Sequence, residues 1–346
     1  MARPPIPLVV LRRAKSVGTA VVELLARSGE FMVLGDASDP SQATRMCRDR
    51  RPQCVLLYVE AHAQLELLGA VLAVAPVPVV ALVRTASAGV QALAAGAAET
   101  LPFDAEAQVV ATALRLMAGV TIVGRREARE APAKAGPAAL ASAGRQPLVV
   151  IGTSTGGPPA LAQLLGALAA GFAAPVVVVQ HMPDDYHHSF AEWLTTQTRL
   201  TVSLAQSGLR VQPGTVYLAP GGSNLAVGQG GFLLARPRSP RGPCPSVDVL
   251  FESAAQLEGF SLCGVVMTGM GSDGARGLKA IRDAGGLTLV QDRASSAVFG
   301  MPAEALKLGA AELALSPAGL AEQLRWWAAP HGPPGRRTEN GRKQTR

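Results

Sequence analysis

The stretch Leu148-Val149-Val150-Ile151-Gly152-Thr153-Ser154-Thr155-Gly156-Gly157-Pro158-Pro159 reads as strand, tight turn and helix start. Four consecutive apolar residues suit a strand buried on both faces. The glycines permit a sharp bend, and the prolines fit the first turn of a helix, where an N–H group has no partner to lose. A helix-like run at 160–168 follows. The bend holds the Ser154 hydroxyl at the carboxyl end of a strand, in reach of solvent. Repeated units of this kind build parallel α/β sheets.

The repetition is present on both sides of the stretch. Downstream, apolar strands are expected at 148–151, 176–179, 215–218, 232–235, 262–267, 288–290 and 312–315. Helices are expected at 160–168, 248–256, 274–284 and 302–307. Residues 215–235 read as a hairpin excursion. Upstream, strands at 7–11, 31–34, 54–59, 77–83 and 99–101 alternate with helices at 17–28, 41–50, 64–73, 88–95 and 106–117. Five β–α repeats argue for a doubly wound parallel sheet. The expected organisation is a first doubly wound domain over 5–118 and a linker over 119–146. A second doubly wound α/β domain with a mostly parallel sheet spans 147–330, and a disordered basic tail covers 331–346. The linker carries Arg125-Arg126-Glu127-Ala128-Arg129-Glu130 and then an Ala/Pro/Gly run.

The 346 residues suffice for two domains. Apolar residues make up 48% and aromatics only 4%, so the cores must be built from Ala, Val and Leu. The net charge of +7 is unevenly placed: 1–118 carries +1 and 147–330 carries −1, while 119–146 adds +3 and 331–346 adds +4. The basicity belongs to the linker and the tail, so a basic folded face for nucleic acid is not indicated. Cys47, Cys54, Cys244 and Cys263 are scattered with no metal-ligand spacing, and are expected as reduced thiols. Met1-Ala2-Arg3-Pro4-Pro5 has no signal-peptide core. The apolar stretch at 70–83 is interrupted by Pro76 and Pro78, so no membrane insertion is expected. A cytoplasmic protein without metal or other cofactor is the expectation.

A serine hydroxyl needs a base to become a nucleophile, and that base is usually a histidine oriented by a carboxylate. His181 follows the strand at 176–179. Asp273 follows the strand at 262–267, within Thr268-Gly269-Met270-Gly271-Ser272-Asp273-Gly274. Ser154, His181 and Asp273 thus each stand at the carboxyl end of a different strand, where sites form in open α/β sheets. A backbone N–H in the glycine-rich loop before Asp273 is placed to stabilise an oxyanion. His187 and His188 read as solvated surface residues. Each piece has a plainer reading: an anion cradle at the Ser154 turn, a satisfied buried histidine, and a turn-forming or helix-capping aspartate. The order Ser, His, Asp also differs from that of the lipase-type hydrolases.

Several segments of the second half resemble the catalytic domain of the chemotaxis protein-glutamate methylesterase (CheB) family. They are 151–157, Gln180-His181-Met182-Pro183, Tyr217-Leu218-Ala219-Pro220-Gly221, Pro245-Ser246-Val247-Asp248-Val249-Leu250-Phe251, 268–274, and Val298-Phe299-Gly300-Met301-Pro302. The resemblance implies a serine esterase that removes methyl groups from receptor glutamate esters and deamidates certain receptor glutamines. It implies methyl-accepting chemotaxis receptors as protein substrate, and a chemosensory kinase or adaptor as a further partner. It implies Ser154 as nucleophile, His181 as general base and acid, and Asp273 as orienting carboxylate. Met270 would supply an oxyanion-binding N–H, and Thr155 a neighbouring hydroxyl. The chain has Cys244 where the family commonly has arginine, with Arg236, Arg238 and Arg241 nearby, and Asn224 where histidine is common. A catalytically quiet scaffold of a chemosensory pathway and a phosphate-binding module at Ser154 are the competing readings.

The first half resembles the receiver domain that precedes the esterase in this family. Where the family holds Mg²⁺ with acidic residues after the first strand, this chain has Arg12 and Arg13. Tyr58 stands at the phosphorylated aspartate, Val83 at the hydroxyl residue and Phe103 at the lysine. A hard cation needs clustered oxygen ligands, and tyrosine cannot form an acyl phosphate. The expectation is a pseudo-receiver with an arginine guanidinium in the cation's space.

Overall fold

The computed structural model describes residues 4–61, 63–120, 145–236 and 242–329. Two strands of the first half, β3 (Cys54–Val59) and β4 (Val79–Val83), are buried at every position, as strands covered by helices on both faces must be. They sit inside a five-stranded sheet with β1 (Ile6–Leu11), β2 (Phe31–Ala37) and β5 (Glu99–Pro102), in the order β2-β1-β3-β4-β5, with every pair parallel. Crossover helices α1 (Thr19–Arg27), α2 (Pro40–Arg50), α3 (Ala63–Val74), α4 (Ala86–Ala95) and α5 (Ala107–Ala118) complete the doubly wound unit.

The second sheet grows from β6 (Gln146–Thr153), the strand of the opening stretch, whose last six residues are all buried. On one side lie β7 (Val176–Gln180), β9 (Thr215–Leu218) and β8 (Thr201–Leu204). On the other lie β12 (Phe260–Val266), β13 (Leu287–Gln291) and β14 (Leu313–Leu315). All pairs are parallel. The chain leaves β6 in one direction and returns to continue in the other, so the strand order reverses beside β6 at the carboxyl edge. The remaining elements are α6 (Gly157–Gly166), α7 (His187–Thr195), β10 (Asn224–Gly228), β11 (Phe232–Arg236), α8 (Val247–Ala255), α9 (Ala275–Asp283), α10 (Met301–Lys307) and α11 (Pro317–Trp327).

Two sequence expectations need correction. Residues 215–235 are not one hairpin: Val216 to Leu218 are buried and β9 pairs with β7 and β8 in the main sheet, leaving only β10 and β11 as an antiparallel pair. Edge strand β8 and helix α11 were not anticipated. In Thr201-Val202-Ser203-Leu204 no residue is fully buried, so its apolar signal is weak. The expectations for the tail, and for most of the linker, lie outside the described residues, as do Arg238 and Arg241.

The two units share an apolar contact. Helix α4 packs against α6, α7 and the single turn Asp184–Tyr186, and one core cluster runs from Val83 and Val90 through to Leu161, Tyr186 and Phe190. Gly89 allows the approach, because a Cβ there would overlap the Tyr186 ring. Gly89→Ala is therefore expected to cost about 1–3 kcal/mol through overpacking. It should lower the thermal midpoint and enlarge the radius of gyration in small-angle scattering; an unchanged midpoint and radius would show that the contact is not tight.

Candidate active site

The three candidate residues meet at the carboxyl edge because register aligns the strand ends. Gly152 of β6 lies opposite Val266 of β12, and Thr153 opposite Gln180 of β7. Each segment leaving the sheet is then fastened to its neighbours. Ser154 N–H donates to Thr268 O at 3.0 Å and His181 N–H to Thr153 O at 3.0 Å. The buried Gln180 side chain bridges the two, its Nε2 donating to Ser154 O and His181 O, each at 2.9 Å. The bend at Ser154 needs glycine after it: Gly156 has φ 76°, and a Cβ there would strike Ala297.

Asp273 is held by four donors, which fills the acceptor capacity of a carboxylate. Oδ1 accepts from Ser246 Oγ at 2.9 Å and Asp248 N–H at 3.0 Å. Oδ2 accepts from Val247 N–H at 2.7 Å and His181 Nε2 at 2.9 Å. Burial pushes the Asp273 carboxyl up, but the hydrogen bonds from His181, Asp248 and Val247 outweigh it and hold it below the usual carboxylate range. Asp273 is thus an ionised acceptor, Nε2 of His181 carries the proton, and Nδ1 is the nitrogen left to act as a base. Ser154 and His181 line one cavity of about 270 Å³, together with Thr155 and Gln180. Among the described residues no hydrogen bond joins the Ser154 hydroxyl to His181, a contact that commonly tightens only around substrate.

The loop after β12 passes directly beside Ser154. A Cβ on Gly269 would sit 2.7 Å from that of Ser154, so only glycine permits the approach. Met270 follows on this loop with its side chain 41% exposed. Its N–H makes no hydrogen bond to the described residues, as an oxyanion donor requires. Thr268 ties the loop down: its hydroxyl lies 2.9 Å from Thr155 O and accepts from Val298 N–H at 3.0 Å. Sequence reasoning missed Gln180 and Thr268 as supports. It also gave Asn224 no structural part, yet this buried residue accepts Ser246 N–H at 2.8 Å and so steadies the segment that holds Asp273.

Residues 149–324 match the sequence profile of the CheB methylesterase family. The chain belongs to that family. A protein-glutamate methylesterase/protein-glutamine glutaminase 2 of Anaeromyxobacter dehalogenans is 37% identical over 326 residues, covering 90% of this chain and 94% of that protein. The protein-glutamate methylesterase FrzG of Myxococcus xanthus is 38% identical over 329 residues, covering 91% and 98%. The catalytic domain of the Thermotoga maritima CheB methylesterase is 36% identical and covers 53% of this chain and 98% of its own, with a TM-score of 0.49.

The reading of His187 as a solvated residue is overturned. It is 3% exposed, its Nδ1 lies 3.3 Å from Asp184 O, and its buried Nε2 has no hydrogen-bond partner among the described residues. Burial lowers its pKa against the opposing pull of Asp184 and nearby carbonyls. His187 opens α7 beside the buried Tyr186, so the helix turns it inward, while His188 faces out.

At the carboxyl ends of β1 and β3, where the resemblance to a receiver would put a Mg²⁺ site, the side chains present do not fit a divalent cation. Arg12, only 6% exposed, places Nε 2.6 Å from Asp36 Oδ1 and donates from a terminal nitrogen to Val17 O at 2.7 Å. Arg13 faces solvent. Tyr58 is buried, its hydroxyl 3.4 Å from Gly18 O, and burial raises its pKa against the opposing charge of Arg12. Phe103 stands edge-on to Tyr58 with ring centroids 5.6 Å apart, and Arg84 lies 3.8 Å over the Phe103 ring. Val83 is buried in the core.

Residues of the first half also line the cavity that Ser154 and His181 share, with Leu93 of α4, Ala98 and Glu99 on its wall. Nothing in the sequence announced Glu99. Burial raises its pKa, opposed by the N–H of Thr100, which donates to its Oε1 at 3.0 Å. A carboxyl whose pKa is raised in the folded state stabilises that state when protonated, at pH below the unfolded value of about 4.3, and loses that contribution as pH climbs through the raised value. Glu99→Gln is therefore expected to raise the thermal midpoint near about pH 7, with the difference from wild type vanishing near about pH 4. A midpoint difference independent of pH would contradict this placement.

Proposed function

We propose that this CheB-family chain is a protein-glutamate methylesterase, with protein-glutamine deamidase activity, acting on methyl-accepting chemotaxis receptors through Ser154, His181 and Asp273. The observation that carries the mechanism is the His181–Asp273 pair at 2.9 Å, saturated with donors and opening onto the cavity that Ser154 lines. Ser154 Oγ attacks the glutamyl ester carbonyl while His181 Nδ1 takes its proton. The developing oxyanion is met by Met270 N–H, an interaction worth about 10²- to 10³-fold in rate. The tetrahedral species collapses, His181 returns the proton to the departing methoxide, and methanol leaves an acyl-Ser154. Water, deprotonated by the same nitrogen, releases the glutamate and restores the hydroxyl. With a glutamine substrate the leaving group is ammonia.

The substrate side chain is small, which suits a cavity of about 270 Å³. Among the described residues no helix is long and apolar enough to cross a membrane; the proposed setting is the cytoplasm, with a kinase or adaptor of the same pathway as a further partner. We further propose that the first domain, 5–118, is a pseudo-receiver. Its Arg12–Asp36 pair and its Tyr58–Phe103–Arg84 stack support a domain that neither binds Mg²⁺ nor accepts a phosphoryl group.

Ser154→Ala is expected to abolish methanol release from methylated receptor in a vapour-phase assay, with near-normal release counting against the assignment. Incubation of the whole chain with acetyl phosphate and Mg²⁺ should leave its intact mass unchanged. A stable adduct of one phosphate would sink the pseudo-receiver reading.

A further inference from the structure

Helices α8 and α9 exchange carboxylates at their amino termini. Asp273, just before α9, accepts the N–H groups of Val247 and Asp248 in the first turn of α8. Asp248 returns the contact: its Oδ1 accepts Gly274 N–H at 2.9 Å and Gly277 N–H at 2.8 Å at the start of α9. One residue thus donates its backbone N–H to Asp273 and accepts that of the residue next to it. Both carboxylates sit where orphan N–H groups and the helix dipole favour negative charge. The helices are close enough that a Cβ on Gly277 would come within 3.1 Å of Asp248 O. Arg276 reaches Asp248 Oδ2 from Nε at 3.0 Å and from a terminal nitrogen at 2.9 Å. Its guanidinium is largely exposed, so the ion pair itself contributes little.

We propose that Asp248 is a positioning residue for the esterase reaction: by capping α9 it fixes the backbone that aims Asp273 at His181. The inference rests on the esterase reading. Removing the Asp248 carboxyl leaves two buried N–H groups unpaired, and the turn that carries Asp273 then relaxes away from His181. Besides Asp273 and His181, the charged groups around this junction are Asp248 and Arg276, with Glu252 acting on Arg276 from α8.

The test follows covalent labelling of Ser154 in the full chain by a fluorophosphonate, read by intact mass across pH. Asp248→Ala should slow labelling on the order of 100-fold, the cost of a small misplacement of a catalytic group. It should also move the pH midpoint of labelling downward, because an imidazolium without its carboxylate is less favoured. Asp248→Asn retains the accepting Oδ1 and should recover most of the rate. Arg276→Ala should stay within about twofold of wild type, since an exposed pair is weak. A residue that only stabilised the fold would lower the thermal midpoint and leave the pH midpoint in place; that result, or wild-type kinetics for Asp248→Ala, overturns the proposal. If the alanine chain does not fold, Asp248→Glu carries the same expectation, and wild-type rate and pH midpoint there overturn it too. Failure of the wild-type chain to label at Ser154 overturns the esterase reading itself, and this inference with it.

Discussion

Four donors converge on the Asp273 carboxylate, and the architecture of the second domain depends on that convergence. A buried charge is costly unless each lone pair is met. Meeting them here requires an imidazole from the β7 end, a hydroxyl and two amides from the start of α8, and a loop leaving β12, all within 3.0 Å. Only a sheet whose strands end level can deliver those groups together. The pairing of Gly152 with Val266 and of Thr153 with Gln180 supplies the level edge. The glycines at 156 and 269 then let adjoining turns approach more closely than side chains would allow.

The candidate triad was legible because strand ends are legible. Val176 to Val179 and the run around Cys263 to Val266 are unbroken apolar segments, so the polar residues just beyond them could be placed on one edge without coordinates. The supports were not legible. Gln180, Thr268 and Asn224 act through hydrogen bonds to backbone atoms, most of them far along the chain, and a lone polar residue at the end of a strand carries no periodic signature. Nothing in the sequence separates adjacent His187 and His188, whereas a helix turns neighbouring residues to different sides. Edge strand β8 escaped notice for want of buried positions. The wall that α4 and β5 form over the cavity left no trace, because contacts between units follow from shape and not from local pattern.

The altered residues of the first domain form a coherent set. Asp36 is paired with Arg12, whose guanidinium also donates to the Val17 carbonyl. Tyr58 fills space that a short aspartate would leave, and Phe103 and Arg84 stack outward from it. Tyr58, Phe103 and Arg84 pack as one unit, so a change at one of them is felt by its neighbours. Aspartate at position 58, for example, would leave Phe103 without its ring partner and open a void in a packed interior.

A guanidinium on a side chain differs from a bound ion in one respect that reaches beyond its own pocket: it cannot dissociate. Its local concentration is fixed by the covalent chain, so the charge state of the pocket is the same in magnesium-rich and magnesium-poor cells. A domain of that kind, as proposed here, keeps no record of past kinase activity, since no labile bond in it stores one.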